Sequence, residues 1–190
     1  FASAIKSYNK AISIDPNLAT AYINLGNTFY GQGDFASAID LYKKAISIDP
    51  ENAISQVDLG NTLYVQKDFA NAIEAYNQAI AIDPTCVDAY VNIGNAIYSQ
   101  GNCADAIKAW TKAAAIEPEK NAIAYFNIGA ALQDQGDHAG AIKACNRAIG
   151  IDATMATACL HIQSDHAGAI EAWKRSIDFG PRRSGLSEDS

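Results

Sequence analysis

Apolar residues recur along this chain three and four positions apart, in blocks of about a dozen, with short polar stretches between the blocks. Residues 87–120, "VDAYVNIGNAIYSQGNCADAIKAWTKAAAIEPEK", show the pattern. Tyr90, Ile93, Gly94 and Ile97 fall on one helical stripe. "SQGN" is a turn signal in which Gly101 suits a left-handed helix end. Ala106, Ile107, Trp110, Ala113 and Ala114 form the stripe of a second helix, which Pro118 ends by disfavouring helical backbone at Glu117. The predicted unit is helix, tight turn, helix, tight turn.

The first helix recurs as "AYINLGNTFY" (21–30), "SQVDLGNTLY" (55–64), "AYVNIGNAIY" (89–98) and "AYFNIGAAL" (124–132). Gly26, Gly60 and Gly94 are 34 residues apart, and Gly129 follows after 35. A fixed period in this range indicates stacked helical units. Gly94 and Ala106 stand where the two helices of a unit would cross, and a larger side chain there would hold them apart. Tyr90 and Trp110 would fill the gaps around the crossing. No unit can bury its stripe alone, so each needs a neighbour.

These positions resemble the tetratricopeptide repeat family, whose units carry a large aromatic, Leu-Gly, an aromatic, Ala, a second aromatic, Ala and Pro. Residues 19–52 supply Tyr22, Leu25, Gly26, Phe29, Ala38, Tyr42, Ala45 and Pro50. Residues 53–86 supply Leu59, Gly60, Leu63, Ala72, Tyr76, Ala79 and Pro84, with Gln56 in place of the first aromatic. Residues 87–120 and 122–155 follow the same pattern, with residue 121 inserted between them; the latter carries Cys145 and Ala153 at the second aromatic and proline positions. The resemblance implies an all-α, right-handed superhelical solenoid of antiparallel helix-turn-helix repeats over 1–181. Residues 1–18 are a partial repeat. Residues 156–181 are a shortened one, because "GAALQD" (129–134) has no counterpart between Ile162 and Gln163. A stunted helix over 156–163 is expected there, or else one bent helix from Ala156 to Ile177. Residues 182–190 form a polar tail expected to be disordered.

In such a superhelix the first helices line a concave face. The positions turned away from the core stripe form rows: Asn24, Asp58, Asn92, Asn127 and His161; then Asn27, Asn61 and Asn95, ending at Ala130; then Tyr30, Tyr64 and Tyr98, ending at Gln133. A fourth row, Ile23, Val57, Val91, Phe126 and Leu160, is apolar. Amide side chains donate and accept at once, so they can pair with a peptide backbone of any sequence. The expectation is an extended protein or peptide segment in this groove, with Asn24, Asn27, Tyr30, Asp58, Asn61, Tyr64, Val91, Asn92, Asn95, Tyr98, Phe126 and Asn127 as its candidate contacts. An Asn here can equally bond between adjacent helices. Some domains of the family grip a C-terminal carboxylate with a clamp of two Lys, two Asn and an Arg. The Asn positions exist here, but the basic ones are Ile or Val in the early units and the Arg position is Asn92 or Asn127. A neutral or basic partner is therefore expected.

Composition narrows this further. A formal charge of −7 argues against nucleic acid and anionic membranes as partners, since both need basic surfaces. No apolar run approaches the ~20 residues of a membrane span. Cys86, Cys103, Cys145 and Cys159 form no CxxC pair and read as reduced thiols. His138 and His166 occupy one turn-packing position in successive units, held elsewhere by Phe35, Phe69 or Cys103, and no second ligand stands at metal-binding spacing. No phosphate-binding glycine loop or catalytic triad is apparent, and no cofactor is implied. The first reading is thus a non-catalytic interaction scaffold. The second is the substrate-recognition arm of a larger enzyme, because the Asn rows are similar to those in the repeat domain of O-GlcNAc transferase. A third is self-association through an uncapped end. Phe1 falls inside a repeat unit, so a longer parent protein is expected, and cytoplasmic localisation is the default.

Overall fold

A computed structural model describes residues 1–162. Ten α-helices follow one another among these residues: α1 (Ala2–Ile14), α2 (Ala19–Gln32), α3 (Phe35–Ile48), α4 (Ala53–Val65), α5 (Phe69–Ile82), α6 (Val87–Ser99), α7 (Cys103–Ile116), α8 (Ala122–Asp134), α9 (His138–Ile151) and α10 (Ala156–Ile162). A single 3₁₀ turn, Ala153–Met155, precedes α10. The chain divides into two compact units, residues 1–109 and residues 110 onward, with the boundary inside α7. The rest of the shortened repeat, the Ala156–Ile177 alternative and the 182–190 tail lie outside the described residues.

Each helix pair begins and ends on local chemistry. Asp34, Asp68, Asn102 and Asp137 cap the second helices, each accepting the backbone N–H three residues on at 2.9–3.3 Å. Asn52 and Asn121 cap α4 and α8 in the same way. Such bonds satisfy donors that a helix N-terminus leaves unpaired. Acidic residues close the second helices: Asp49 and Asp83 of the recurrent "IDP" follow α3 and α5, and Asp152 of "IDA" follows α9, all out of helical backbone. Within the units the tight turn needs one left-handed residue. Gly33, Gly101 and Gly136 supply it at φ +80°, +85° and +78°. The third repeat puts Lys67 there, at φ +63°, a conformation a residue with a Cβ adopts at some cost.

The crossing of each pair is as tight as the small residues imply. A Cβ built on Gly26 would come within 2.7 Å of the Tyr42 ring. Gly60 meets the Tyr76 ring in the same way, and Gly129 meets the Cys145 sulfur. Around these contacts Ala38, Ala45, Ala72 and Ala79 are fully buried in the first unit, as are Ala141 and Ala148 in the second. Tyr42 gathers Ile23, Leu59 and Ala75 into one cluster, and Tyr76 gathers Val57, Ala89 and Ile93 into the next. Each cluster draws residues from one repeat and from both helices of the following one, which is how an array buries stripes that a lone pair would leave wet.

Candidate functional site

The first unit carries the better-formed part of the asparagine rows. The Tyr42 hydroxyl donates to Asn27 Oδ1 at 2.6 Å. Asn27 in turn bonds the carboxyl of Asp58 on α4. One repeat later the Tyr76 hydroxyl donates to Asn61 Oδ1 at 2.9 Å, and Asn92 Nδ2 on α6 donates to the same oxygen at 2.9 Å. The motif recurs: a buried tyrosine on a second helix, an asparagine on the first helix of the same repeat, and an Asn or Asp on the next first helix. It clips three helices together. Burial pushes both phenols well above the usual tyrosine range, so they stay protonated and keep donating. Asn27 and Asn61 are therefore committed to the fold through their carbonyl oxygens.

Asp58 is the one carboxylate in these clips. Burial pushes it up to about 6, against the pull of the Asn27 hydrogen bond. The equivalent positions hold Asn24, Asn92 and Asn127, which carry no charge to bury.

Beside the second clip lies a depression of about 220 Å³ lined by Tyr30, Asn61, Tyr64, Val65, Tyr76, Asn92 and Asn95. Five of these seven are among the residues expected from sequence to face the groove. Tyr30 and Tyr64 are propped from behind by Phe35 and Phe69, with ring centroids 5.5 Å apart in each pair. Tyr64 also shares a 3.1 Å hydrogen bond with Ser99. The Asn92 and Asn95 amides approach at 3.5 Å. Among the described residues no lysine, arginine or carboxylate lines this depression.

The remaining candidates are distributed differently. Asn24 is exposed on α2, and Val91 and Tyr98 are half-buried on α6. The apolar row is not an open face, because Ile23 and Val57 are buried in the two clusters built around Tyr42 and Tyr76. Each lies under a residue of the following repeat's first helix. In the second unit Phe126 packs against the cluster of Cys145, Ala148, Ile149 and Cys159, and Asn127 beside it is half-buried.

Tyr76, Val65 and Ser99 were not expected at this site. Part of the signal for the tyrosine was available. Asn27 and Asn61 stand in the two repeats whose second helix carries this tyrosine; the row continues as Asn95 opposite Trp110 and ends at Ala130 opposite Cys145, so the pairing was only partly legible.

Other chemistry is sparse. Among the described residues no three His, Cys, Asp or Glu side chains converge to hold a metal ion. His138 Nδ1 lies 2.8 Å from Gln133 Oε1, across the turn it closes. All four cysteines are free. Contact with Cys145 and burial push the Cys159 thiol up, and burial does the same to Cys86. Neither has the low pKa of a nucleophilic cysteine. Among the described residues no helix is long and apolar enough to cross a membrane.

Consecutive helix pairs with a Gly–aromatic crossing and interlocking polar clips define a helical-repeat protein of the interaction-scaffold type. The chain belongs to the tetratricopeptide repeat family: the family's profile matches residues 23–85 and 91–156, and a related TPR repeat profile matches residues 1–33. It is similar to a solved structure of MamA, with 30% identity and a TM-score of 0.72 over 80% of this chain and 89% of that one. YrrB shares the fold at 19% identity and a TM-score of 0.67, over 94% of this chain and 95% of that one. The first tetratricopeptide domain of Spaghetti (RPAP3), solved with an HSP90 peptide bound, matches at 25% identity and a TM-score of 0.59, over 62% of this chain and 93% of that one. No curated protein matches the chain.

Proposed function

We propose that this chain is a non-catalytic scaffold that takes an extended segment of a partner protein across its first helices, with the Tyr30–Tyr64–Asn92–Asn95 depression as an anchoring point. The observation that carries the reading is that depression, where phenol rings and amides converge without a charged side chain. Aromatic walls take up apolar or cationic side chains, and amides satisfy a peptide backbone without reading its sequence. The bound peptide in the Spaghetti domain supports peptide capture in general. That peptide, SRMEEVD, is acidic, and the depression here offers no cation to pair with carboxylates. A neutral or basic segment suits it better.

The test is fluorescence anisotropy with three labelled peptide pools of equal length, neutral, basic and acidic, against the wild-type chain, Tyr30→Ala and Asn95→Ala. Neutral or basic peptides should bind, and each substitution should weaken binding roughly 5- to 10-fold, the loss of about 1 kcal/mol of contact. The far-UV circular dichroism melt should be unchanged. Preferential capture of the acidic pool, or affinities that ignore both substitutions, would overturn the reading.

A further inference from the structure

The outer side of the repeats, between successive second helices, carries a groove in each unit. In the first unit it runs between α3 and α5, with Gln56, Leu59 and Leu63 of α4 on its floor, and has a volume of about 420 Å³. In the second it runs between α7 and α9 over Tyr125, Ile128 and Leu132 of α8, and has a volume of about 1000 Å³. The two are register equivalents, since each floor residue of one stands 69 positions after its counterpart in the other. They have nevertheless diverged. The rim of the first is Asn71, Glu74 and Gln78, and the same three positions in the second are Gly140, Lys143 and Arg147.

Two positions in register carry smaller residues here. Ala114 stands where the other second helices have Ile46, Ile80 and Ile149, and Gly140 where they have Ser37, Asn71 and Asp105. Both line the larger groove. Its charge also runs against the chain as a whole. The net charge is −7, yet among the described residues the lining holds Lys143 and Arg147 and no carboxylate. Arg147 lies over the Tyr125 ring, 5.7 Å from its centroid, where Glu119 and the Pro118 carbonyl hold it. Lys143 is exposed. In the groove wall Asn146 Oδ1 is buried without a hydrogen-bond partner among the described residues. A buried acceptor left unpaired is costly.

We infer that the outer groove of the second unit is a docking site for an acidic amphipathic helix of a partner protein. The floor from Tyr125 to Leu132 is about 10 Å long at 1.5 Å per residue, so it takes two helical turns. Apolar side chains three and four residues apart lie on Tyr125, Ile128 and Leu132. Acidic side chains flank them on the Lys143 side.

The probe is a labelled 14-residue helical peptide with leucines at i, i+3, i+4 and i+7 and glutamates elsewhere, beside a twin with lysines for the glutamates. Wild-type chain should bind the glutamate peptide and leave the lysine twin unbound. Ala114→Ile installs the residue that three other second helices already accommodate, so it fills the groove without disturbing the fold, and should weaken binding at least 10-fold. Lys143→Glu installs the residue found at Glu74 and should invert the preference between the twins. Tyr30→Ala should have no effect, which separates this site from the peptide depression of the first unit. Equal binding of the twins, or affinity untouched by both Ala114→Ile and Lys143→Glu, would refute the inference. So would light scattering that shows self-association abolished by Ala114→Ile, which would assign the groove to a second copy of the chain.

Discussion

Asp58 adds its own pH dependence to the stability of the chain. Its folded pKa, raised to about 6, lies above the unfolded value. Between roughly pH 4 and 6 the folded chain therefore keeps a proton that the unfolded chain has released. Stability contributed by this group falls as pH rises through that window and stays low above it. Asp58→Asn copies the residue at the equivalent positions of three other repeats and removes the penalty. Urea unfolding of this variant should show a gain on the order of 1 kcal/mol at pH 7.5, after allowing for solvent screening of a half-buried side chain. At pH 4 the two proteins should be nearly equal. A variant no more stable than wild type at pH 7.5 would mean that the carboxylate is solvated or otherwise compensated. The charge of Asp58 was visible in the sequence, but its burial was not, because that depends on Asn27 and Tyr42 closing over it from another repeat.

At the scale of the element, the tight turn inside each repeat was legible from its glycine. Three of the four described turns obey it, and Lys67 is the departure. Relief of left-handed strain favours Lys67→Gly by about 1–2 kcal/mol, and the greater freedom of glycine in the unfolded chain takes back about 0.4–1. A net gain of roughly 0.5–1 kcal/mol should appear as a higher urea midpoint with an unchanged slope. A lower midpoint would show that the Lys67 side chain contributes more than its backbone costs. The helix stripes were legible in the same way, from spacing alone. The apolar row was less so, for a geometric reason. A helical wheel assumes one buried side, whereas a first helix in an array touches its own partner and the first helix of the neighbouring repeat. Ile23 and Val57 are covered from that second direction. Asn27 and Asn61 were ambiguous for a related reason, since each is claimed by a hydroxyl 15 residues further on, which no local pattern announces.

Within each unit of the molecule, contacts run inside a repeat and between neighbouring repeats, so stability is close to a sum of local terms. Gly60→Leu would force a side chain into the Tyr76 ring and should cost 3 kcal/mol or more, the upper end of overpacking. Native-state hydrogen exchange should register the loss in α4, α5 and α6, while α8 and α9 keep their protection. Equal loss of protection across all helices would show the chain to be a single cooperative block. The period, the all-helical class and the family were readable from the sequence because they repeat. The difference between the two outer grooves was not, because departures such as Ala114 and Gly140 are seen to line a groove only once three helices enclose a volume.

The tyrosine–asparagine clip has a genetic corollary. Because each clip joins a repeat only to the next, nothing in it counts how many repeats there are. Deleting codons 53–86 in frame would carry Asn92 into the place of Asp58, where Asn27 would meet the same amide that Asn61 now holds. The seam would heal with a neutral side chain in place of a buried acid. Arrays of this design can lengthen or shorten by whole cassettes during descent, whereas a deletion inside the helices that is not a whole number of cassettes would put tyrosine and asparagine out of phase.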